Sequence, residues 1–157
     1  MLDYLDVSYS QVAVFDSSLE EPFNFWTERH VSQGFAWRPG SVSFRTIAES
    51  GPHSLEITIS NDDLEISADA QRVIEVPFAV PSSGEIEVAS ISDSRALSLR
   101  PGSYVLRFEC SSETNGNQRK IKFVFIKNKN PEFRLLRIGT DLPNEGDLLL
   151  TATPAFT

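Results

Sequence analysis

Apolar and polar residues alternate along most of this chain. The two-residue period is clearest in Ser54–Ser60, Tyr104–Cys110 and Lys120–Lys127, where every second side chain is apolar. Such a period is typical of a strand that turns one face toward a core. Seven weaker runs follow the same pattern: Val7–Phe15, Ser41–Ile47, Arg72–Val80, Glu85–Ile91, Ala96–Arg100, Glu132–Ile138 and Asp147–Thr153.

Turn-forming sequences separate these runs, for example Arg38-Pro39-Gly40 and Thr114-Asn115-Gly116-Asn117. One short helix is predicted over Trp26–Gln33, with Gly34 as its C-terminal stop. Pro77 cannot donate a backbone hydrogen bond, so its strand is expected at a sheet edge or with a bulge. The pattern predicts an all-β fold, an antiparallel β-sandwich of about ten short strands and one short helix.

The length of 157 residues fits a single domain over 1–157, because no linker-like segment divides the chain. The C-terminal tail, 138–157, contains Pro143, Gly146 and Pro154 and is expected to pack loosely. No apolar run approaches the roughly 20 residues that span a bilayer. The acidic N-terminus does not resemble a secretory signal, and the single cysteine, Cys110, fits a reducing compartment. A cytoplasmic location is therefore expected.

The net charge of −8 is unevenly distributed along the chain. Residues 1–118 contain 18 acidic and 7 basic residues, whereas residues 119–137 contain 7 basic residues and one acidic residue. An acidic surface repels phosphates, so direct binding to nucleic acid is disfavoured and a basic partner is attracted. Net negative charge also keeps a protein in solution, so charge alone does not establish a binding function.

Few residues could support catalysis. The two histidines, His30 and His53, fall on the predicted helix and in a turn, and no metal-binding or nucleophile motif includes them. Cys110 lies on the apolar side of a predicted strand, where a small buried thiol is expected. The sequence therefore predicts no enzymatic activity, no catalytic residue, no metal site and no cofactor.

Two groups of residues could instead form a binding surface. The densest acidic cluster is Asn61-Asp62-Asp63-Leu64-Glu65, followed by Asp69, and three interpretations of it stay open. It could be a solvated loop, a calcium-binding loop, or a set of carboxylates that imitate phosphates on a basic partner. Five aromatic residues crowd into the region of the predicted helix: Phe23, Phe25, Trp26, Phe35 and Trp37. We interpret Trp26 as core, and Phe35 and Trp37 as either core or interface anchors.

Short blocks along the chain resemble the competence protein J family in their order and spacing. The first group is Ser8-Tyr9-Ser10-Gln11-Val12-Ala13-Val14-Phe15, Trp26-Thr27-Glu28, Gly34-Phe35-Ala36 and Ser41-Val42-Ser43-Phe44. The second group is Val76-Pro77-Phe78, Ile86-Glu87-Val88-Ala89-Ser90-Ile91 and Leu99-Arg100-Pro101-Gly102-Ser103-Tyr104-Val105-Leu106. The resemblance covers residues 7–110 and implies an inhibitor of the DNA-entry nuclease, a membrane-associated enzyme that cuts DNA during uptake by competent bacilli. No inhibitory residue is carried over from the family, and a related role as an immunity protein against a nuclease toxin stays open.

Charge and resemblance together predict a protein that binds a nuclease and blocks its basic DNA-binding surface. Such a protein would contact the membrane only through its partner. The candidate contact residues are Asp62, Asp63, Glu65, Asp69, Glu85, Glu87, Phe35 and Trp37, with Glu56 and Glu109 as further acids on strand faces. The alternative is a C2-like sandwich that binds calcium or lipid through the acidic loop and the basic segment 119–137.

Overall fold

Eleven strands and one helix form the protein over residues 2–112, 119–138 and 148–155, which the computed structural model describes. Their bounds are β1 Leu2–Val7, β2 Gln11–Asp16, α1 Glu28–Gln33, β3 Phe35–Arg38, β4 Ser41–Arg45, β5 Gly51–Ser60, β6 Arg72–Val80, β7 Glu85–Ala89, β8 Ser94–Ser98, β9 Gly102–Ser111, β10 Lys120–Lys127 and β11 Arg134–Arg137. No helix in these ranges is long and apolar enough to cross a membrane. The prediction of an all-β fold with one short helix is confirmed, while β1 and β3 were not predicted as separate strands.

The strands form two sheets. One has six strands in the order β1-β5-β10-β9-β6-β11, and the other has five in the order β3-β4-β2-β7-β8. Every strand pair of the described residues is antiparallel except β5 with β10, which run parallel. The two sheets are therefore mostly antiparallel, as predicted, with one parallel pair that the sequence did not indicate. Two strands, β10 and β9, separate the consecutive strands β5 and β6, so residues 61–71 cross the outer face of the six-stranded sheet.

Aromatic residues from both sheets meet in one core. Phe44 on β4 stacks on Phe108 on β9 with ring centroids 4.6 Å apart, and its ring also lies 5.8 Å from that of Phe123 on β10. All three side chains are completely buried. Pairs at this spacing contribute more than their buried area alone. This contact between two inner faces makes the fold a β-sandwich.

A tight turn separates β1 from β2 at Tyr9 and Ser10. Both residues have positive φ angles, of 55° and 56°, which residues other than glycine rarely adopt. The turn is held by two hydrogen bonds of 2.8 Å, from the Ser10 N–H to the Glu49 carbonyl and from the Thr46 N–H to the Ser10 carbonyl. The prediction of one strand over Val7–Phe15 is therefore wrong, and β1 and β2 enter different sheets.

Arg95 on β8 joins the two sheets at one edge of the sandwich. Its guanidinium contacts Asp3 on β1 at 2.8 Å and Asp93 at 2.6 Å, and donates to the Tyr4 carbonyl at 2.6 Å. Hydrogen bonds from the Tyr4 N–H and from Arg95 lower the pKa of the Asp3 carboxyl. Those from the Asp6 N–H and from Arg95 likewise lower the pKa of Asp93. The lowered pKa values favour the charged carboxylates of Asp3 and Asp93, which bind Arg95 at this edge of the sandwich.

The helix begins at Glu28, two residues later than predicted, because Thr27 caps it. The Thr27 hydroxyl accepts from the His30 N–H at 3.3 Å, and the Thr27 N–H donates to His30 Nδ1 at 3.0 Å. Since Nδ1 accepts, we assign the ring proton to Nε2, which donates to the Thr151 carbonyl at 2.9 Å. Gly34 ends the helix as predicted, with φ of 88°. His30 is thus a buried structural residue.

Hydrogen bonds attach the C-terminal segment 148–155 to the helix at Leu149 and Thr151, and to the residues before the helix at Thr153 and Ala155. Gln33 forms hydrogen bonds with both backbone groups of Leu149: its Nε2 donates to the carbonyl and its Oε1 accepts from the N–H, each at 2.9 Å. Residues 148–153 join neither sheet, so the predicted strand Asp147–Thr153 is wrong for them. Residues 148–155 are hydrogen-bonded but none of them is buried, so the loose packing of the tail stays an expectation, and the other residues of the predicted tail after Ile138 lie outside the described ranges.

Candidate protein-binding surface

The segment 61–71, called the acidic loop below, is anchored to the sheet beneath it. Arg107 on β9 is only 2% exposed and donates to the Leu64 carbonyl at 2.7 Å and to the Asp63 carboxylate. The Ser67 N–H donates to Glu109 Oε1 at 3.1 Å. The interpretation as a merely solvated loop is therefore incomplete, because Arg107 and Glu109 fix its backbone from the outer face of the sheet.

Basic residues neutralise much of the acidic loop and its surroundings. Lys120 binds Asp69 at 2.9 Å, and Lys122 binds Glu56 at 3.6 Å. The hydrogen bond from Lys120 lowers the pKa of Asp69. The charge asymmetry of the sequence is thus partly cancelled in space, since β10 brings the basic segment beside the acids. Asp62 and Glu65 stay exposed, and none of the ion pairs of the described residues involves them.

The calcium interpretation of the acidic loop finds no ligand set. Among the described residues, no three His, Cys, Asp or Glu side chains converge closely enough to hold a metal ion. The carboxylates of Asp63 and Asp69 bind Arg107 and Lys120 instead. Asp63 and Asp69 therefore bind basic side chains of this face instead of sharing a cation with Asp62 and Glu65.

A second acidic surface lies on the outer face of the five-stranded sheet, along β7. Glu85 and Glu87 project there, and Glu85 accepts a hydrogen bond from the Ser98 hydroxyl at 2.8 Å. Beside them runs a groove of about 540 Å³ whose lining includes Glu20, Glu87 and Asp93. Neither Glu20, Glu85 nor Glu87 takes part in an ion pair of the described residues. Their negative charge is therefore open to a partner.

The floor of this groove, called the β7 groove below, is apolar. Phe15 and Phe23 meet edge to face there, with ring centroids 5.8 Å apart, and Leu19 and Ala89 pack beside them. Ile91 at the margin is exposed. An apolar floor with an acidic rim suits the long apolar stem and charged head of a lysine or arginine side chain.

The aromatic candidates Phe35 and Trp37 belong to the core and its margin. Phe35 is completely buried and stacks on Phe133 with centroids 5.9 Å apart, so it cannot anchor a partner at the surface. Trp37 is half-buried, contacts Phe133 edge to face at 5.2 Å, and donates from its indole to the Pro77 carbonyl at 2.7 Å. The core interpretation of these residues is the one that the packing supports.

Pro77 explains why that carbonyl is accessible. It pairs with Val105 on β9, but β11 pairs with β6 only over Val73–Glu75. The second half of β6 is therefore a local sheet edge, as the proline indicated. The Trp37 indole covers this edge and connects it to the other sheet.

The aromatic residues that are exposed differ from Phe35 and Trp37, and the sequence did not single them out as contact residues. Tyr9 is 77% exposed at the positive-φ turn, beside a shallow groove of about 330 Å³ lined also by Trp26, Val31 and Arg45. Phe25 is exposed as well. No local signal in the sequence marks Tyr9, because Val7-Ser8-Tyr9-Ser10 continues the alternation of apolar and polar residues through the turn.

The remaining groups with chemical potential are buried and separate. His53 Nδ1 donates to the Gly51 carbonyl at 3.0 Å, and burial lowers the pKa of the ring below its ordinary value of 6.5. Its Nε2 has no hydrogen-bond partner among the described residues. The side chain of Cys110 is buried in the core, as the sequence predicted. These groups give the described surface no catalytic arrangement, and what it offers a partner is charge and shape.

Comparison with known proteins agrees with the fold and with the resemblance. A crystal structure of ComJ from Bacillus subtilis, described as an inhibitor of the DNA-degrading activity of NucA, superposes with a TM-score of 0.71. It is 20% identical in sequence, and the match covers 82% of this chain and 96% of the other. No curated protein sequence matches the chain. The family model of competence protein J (ComJ) matches residues 4–126, more than half of the sequence, and the chain therefore belongs to that family.

Proposed function

We propose that this protein inhibits a DNA-degrading nuclease by binding to it. The observation that carries the proposal is the family match over residues 4–126, together with the shared fold of an inhibitor of NucA. The proposed function is inferred from family membership, because a shared fold alone does not define a function. The absence of a catalytic arrangement on the described surface is consistent with inhibition by occupation of the nuclease rather than by chemistry.

We assign the contact to the β7 face, meaning Glu85, Glu87 and the adjoining β7 groove. A nuclease holds a polyanion, so the rim of its active site is expected to be basic. Carboxylates without an internal ion pair attract such a rim more strongly than carboxylates that already bind lysine or arginine. The β7 face carries unpaired acids above an apolar floor, whereas most acids near the acidic loop are paired.

The test is a titration of nuclease activity with two matched double variants. Glu85→Lys/Glu87→Lys and Asp62→Lys/Glu65→Lys both replace two acids that form no ion pair in the described residues, and both change the charge by the same amount. We expect the first variant to inhibit at least tenfold more weakly and the second to inhibit like the parent. If the second variant inhibits more weakly than the first, the contact lies at the acidic loop. If both variants inhibit like the parent, neither surface is the contact.

A gel-shift experiment separates blocking of the nuclease from sequestration of its substrate. The inhibitor alone should not retard a labelled DNA duplex at low salt, because its surface is predominantly acidic. A mixture with the nuclease should run as a stoichiometric protein complex. Retardation of DNA by the inhibitor alone would contradict the proposal.

We also propose that the complex forms in the cytoplasm and reaches the membrane only through the nuclease. The sequence contains one cysteine, which cannot form an internal disulfide, and this supports a reducing compartment. In cell fractionation, the protein should stay in the supernatant when the nuclease gene is deleted and should appear in the membrane fraction when it is present. Membrane association without the nuclease would contradict this assignment.

A further inference from the structure

The shallow groove beside Tyr9, called the Tyr9 groove below, is an apolar surface outside the β7 face. Its volume is about 330 Å³, and its lining residues are Tyr9, Ser10, Gln11, Trp26, Val31 and Arg45. Tyr9 is 77% exposed, and Val31 is exposed as well. Tyrosine, tryptophan and arginine are the residue types that most often dominate the binding energy of a protein interface. The groove therefore has the composition of an interface anchor.

Hydrogen bonds hold the backbone of Tyr9 and the ring of Trp26 in place. Tyr9 belongs to the positive-φ turn, whose backbone is bonded through both the N–H and the carbonyl of Ser10. The Trp26 indole donates to the side chain of Gln11 on β2 at 3.3 Å. A partner that binds here orders few additional groups, and a lower entropic cost of ordering increases affinity.

Arg45 brings an unpaired cation to the groove. Its Nη1 donates to the Val31 carbonyl at 3.4 Å, longer than a usual hydrogen bond, and no ion pair of the described residues includes it. A guanidinium binds a carboxylate through two parallel N–H donors. The Tyr9 groove therefore suits an apolar side chain with a carboxylate beside it, whereas the unpaired acids of the β7 face suit a cation.

The Tyr9 groove and the β7 groove lie on the same face of the molecule. Along β2, Val12 and Val14 belong to the core between the sheets, so Gln11 and Phe15 point to the outer face of the five-stranded sheet. Gln11 lines the Tyr9 groove and Phe15 lines the β7 groove, and four residues of a strand span about 13 Å. A standard interface covers about 800 Å² of each partner, a patch about 30 Å across. One partner can therefore contact both grooves.

We propose that the Tyr9 groove binds an apolar side chain of the nuclease that has a carboxylate beside it, with Arg45 as the partner of this carboxylate. The inference rests on the proposed function and deepens it, because it adds an apolar anchor to the acidic β7 face. The two parts of the surface act on different rates. Glu85 and Glu87 attract a basic rim and accelerate association, whereas the packed ring of Tyr9 slows dissociation.

The experiment measures the association and dissociation rates of the full-length protein and the nuclease by surface plasmon resonance. Tyr9→Asn removes the ring and introduces a residue that tolerates positive φ. We expect this variant to dissociate about tenfold faster or more, while its association rate stays within about twofold of the parent. Tyr4→Asn is the matched control, because Tyr4 is also exposed but lies on β1 in the other sheet. It should keep both rates of the parent.

Arg45→Gln tests the carboxylate. The variant makes the inhibitor more acidic, so long-range attraction to a basic nuclease would by itself accelerate association and strengthen the complex. We expect the opposite net result, with dissociation faster by about threefold or more, because a bound carboxylate loses its cation. Arg100→Gln changes the charge equally at an exposed position outside both grooves and should not accelerate dissociation.

Thermal melting checks that each variant is folded, and Tyr9→Gly replaces Tyr9→Asn if the latter is not, because glycine adopts positive φ most readily. Dissociation of the folded Tyr9 variant at the parent rate, or equally fast dissociation of Tyr4→Asn, would overturn the apolar anchor. Dissociation of Arg45→Gln at the parent rate would overturn the carboxylate. Sedimentation of the inhibitor alone should show a monomer. A dimer that Tyr9→Asn separates would make a second copy of this chain the occupant and would also overturn the proposal. A parent protein that neither binds nor inhibits the nuclease would contradict the proposed function itself.

Discussion

Arg107 on β9 donates from Nε to the Glu75 carboxylate on β6 at 2.9 Å, and both side chains are almost completely buried although they point away from the core. The acidic loop and the residues around Arg134 cover them. This face of the six-stranded sheet is therefore a second packed layer organised by charge, not a solvated surface.

Replacing Arg107 by methionine should destabilise the protein strongly. The variant leaves Glu109 buried without Arg107 and leaves Glu75 with only Arg134, 3.8 Å away. Breaking a buried pair on one side costs about 3–5 kcal/mol. Urea denaturation measures the free energy of unfolding. The control is Lys120→Met, which breaks the exposed pair with Asp69 and should change stability by about 1 kcal/mol or less. Equal effects of the two variants would show that the buried pair has no special role.

Phe133→Ala should destabilise the protein by about 2 kcal/mol or more, because it removes a ring packed against the core residue Phe35 and against Trp37. Phe25→Ala is a matched control, since Phe25 is exposed and its truncation should fall within about 0.5 kcal/mol of the parent. Tryptophan fluorescence should also shift to the red in Phe133→Ala alone. An unchanged unfolding free energy in that variant would argue against this aromatic cluster.

Stability should fall as the pH drops below about 6.5, the ordinary pKa of a histidine. Burial lowers the pKa of His53 in the folded protein, so the unfolded chain binds a proton first as the pH decreases. The stabilisation is therefore fully present above pH 6.5 and is lost between that value and the lower folded pKa. Urea denaturation between pH 5 and 8 should show this slope in the parent and a reduced slope in His53→Gln. An identical slope in both proteins would assign it to other groups.

Arg95→Gln should loosen one edge of the sandwich without unfolding the core. The variant removes the ion pairs to Asp3 and Asp93 and the hydrogen bond to the Tyr4 carbonyl, which together connect β1 to β8. Hydrogen exchange should accelerate at the amides of β1, while the amides of β9 keep their protection. Faster exchange throughout both sheets would instead indicate a global loss of stability.

Association with the nuclease should slow as salt increases, because charges at an interface rim act mainly on the encounter rate. Glu85→Lys/Glu87→Lys should reduce the association rate about tenfold at low salt and should show a weaker dependence on salt. Stopped-flow fluorescence at several ionic strengths measures both. The control Asp62→Lys/Glu65→Lys should keep the salt dependence of the parent. A parent rate that does not change with salt would exclude electrostatic steering.

Much of the fold follows from the alternation of apolar and polar residues, but two features do not. The pairing of β5 with β10 is parallel, and a two-residue period is the same for parallel and antiparallel neighbours. The turn at Tyr9 and Ser10 contains neither glycine nor asparagine, the residues that usually adopt positive φ, so β1 and β2 merged into one predicted strand.

The sequence predicted which acidic residues belong to the candidate surface, but it did not predict which of them form ion pairs or become buried. The sequence selects the acids, but it cannot show that Asp69 and Glu56 bind lysines far along the chain, or that Glu87 does not. It also cannot show that Arg107 and Glu109 are buried, because their alternation with the core residues of β9 is that of a solvent-facing side. Burial there comes from the acidic loop, a tertiary contact that local pattern does not encode.

The position of β10 between β5 and β9 also determines when the molecule can assemble during synthesis. Both flanking strands are made before Lys120, and until β10 is translated each of them presents a row of unpaired backbone groups. A nascent chain that ends before Lys127 therefore exposes unpaired backbone groups of β5 and β9, because the strand that lies between them is incomplete. Because β10 pairs with β5, which is made about sixty residues earlier, we expect the six-stranded sheet to be completed only after Lys127 has been synthesised.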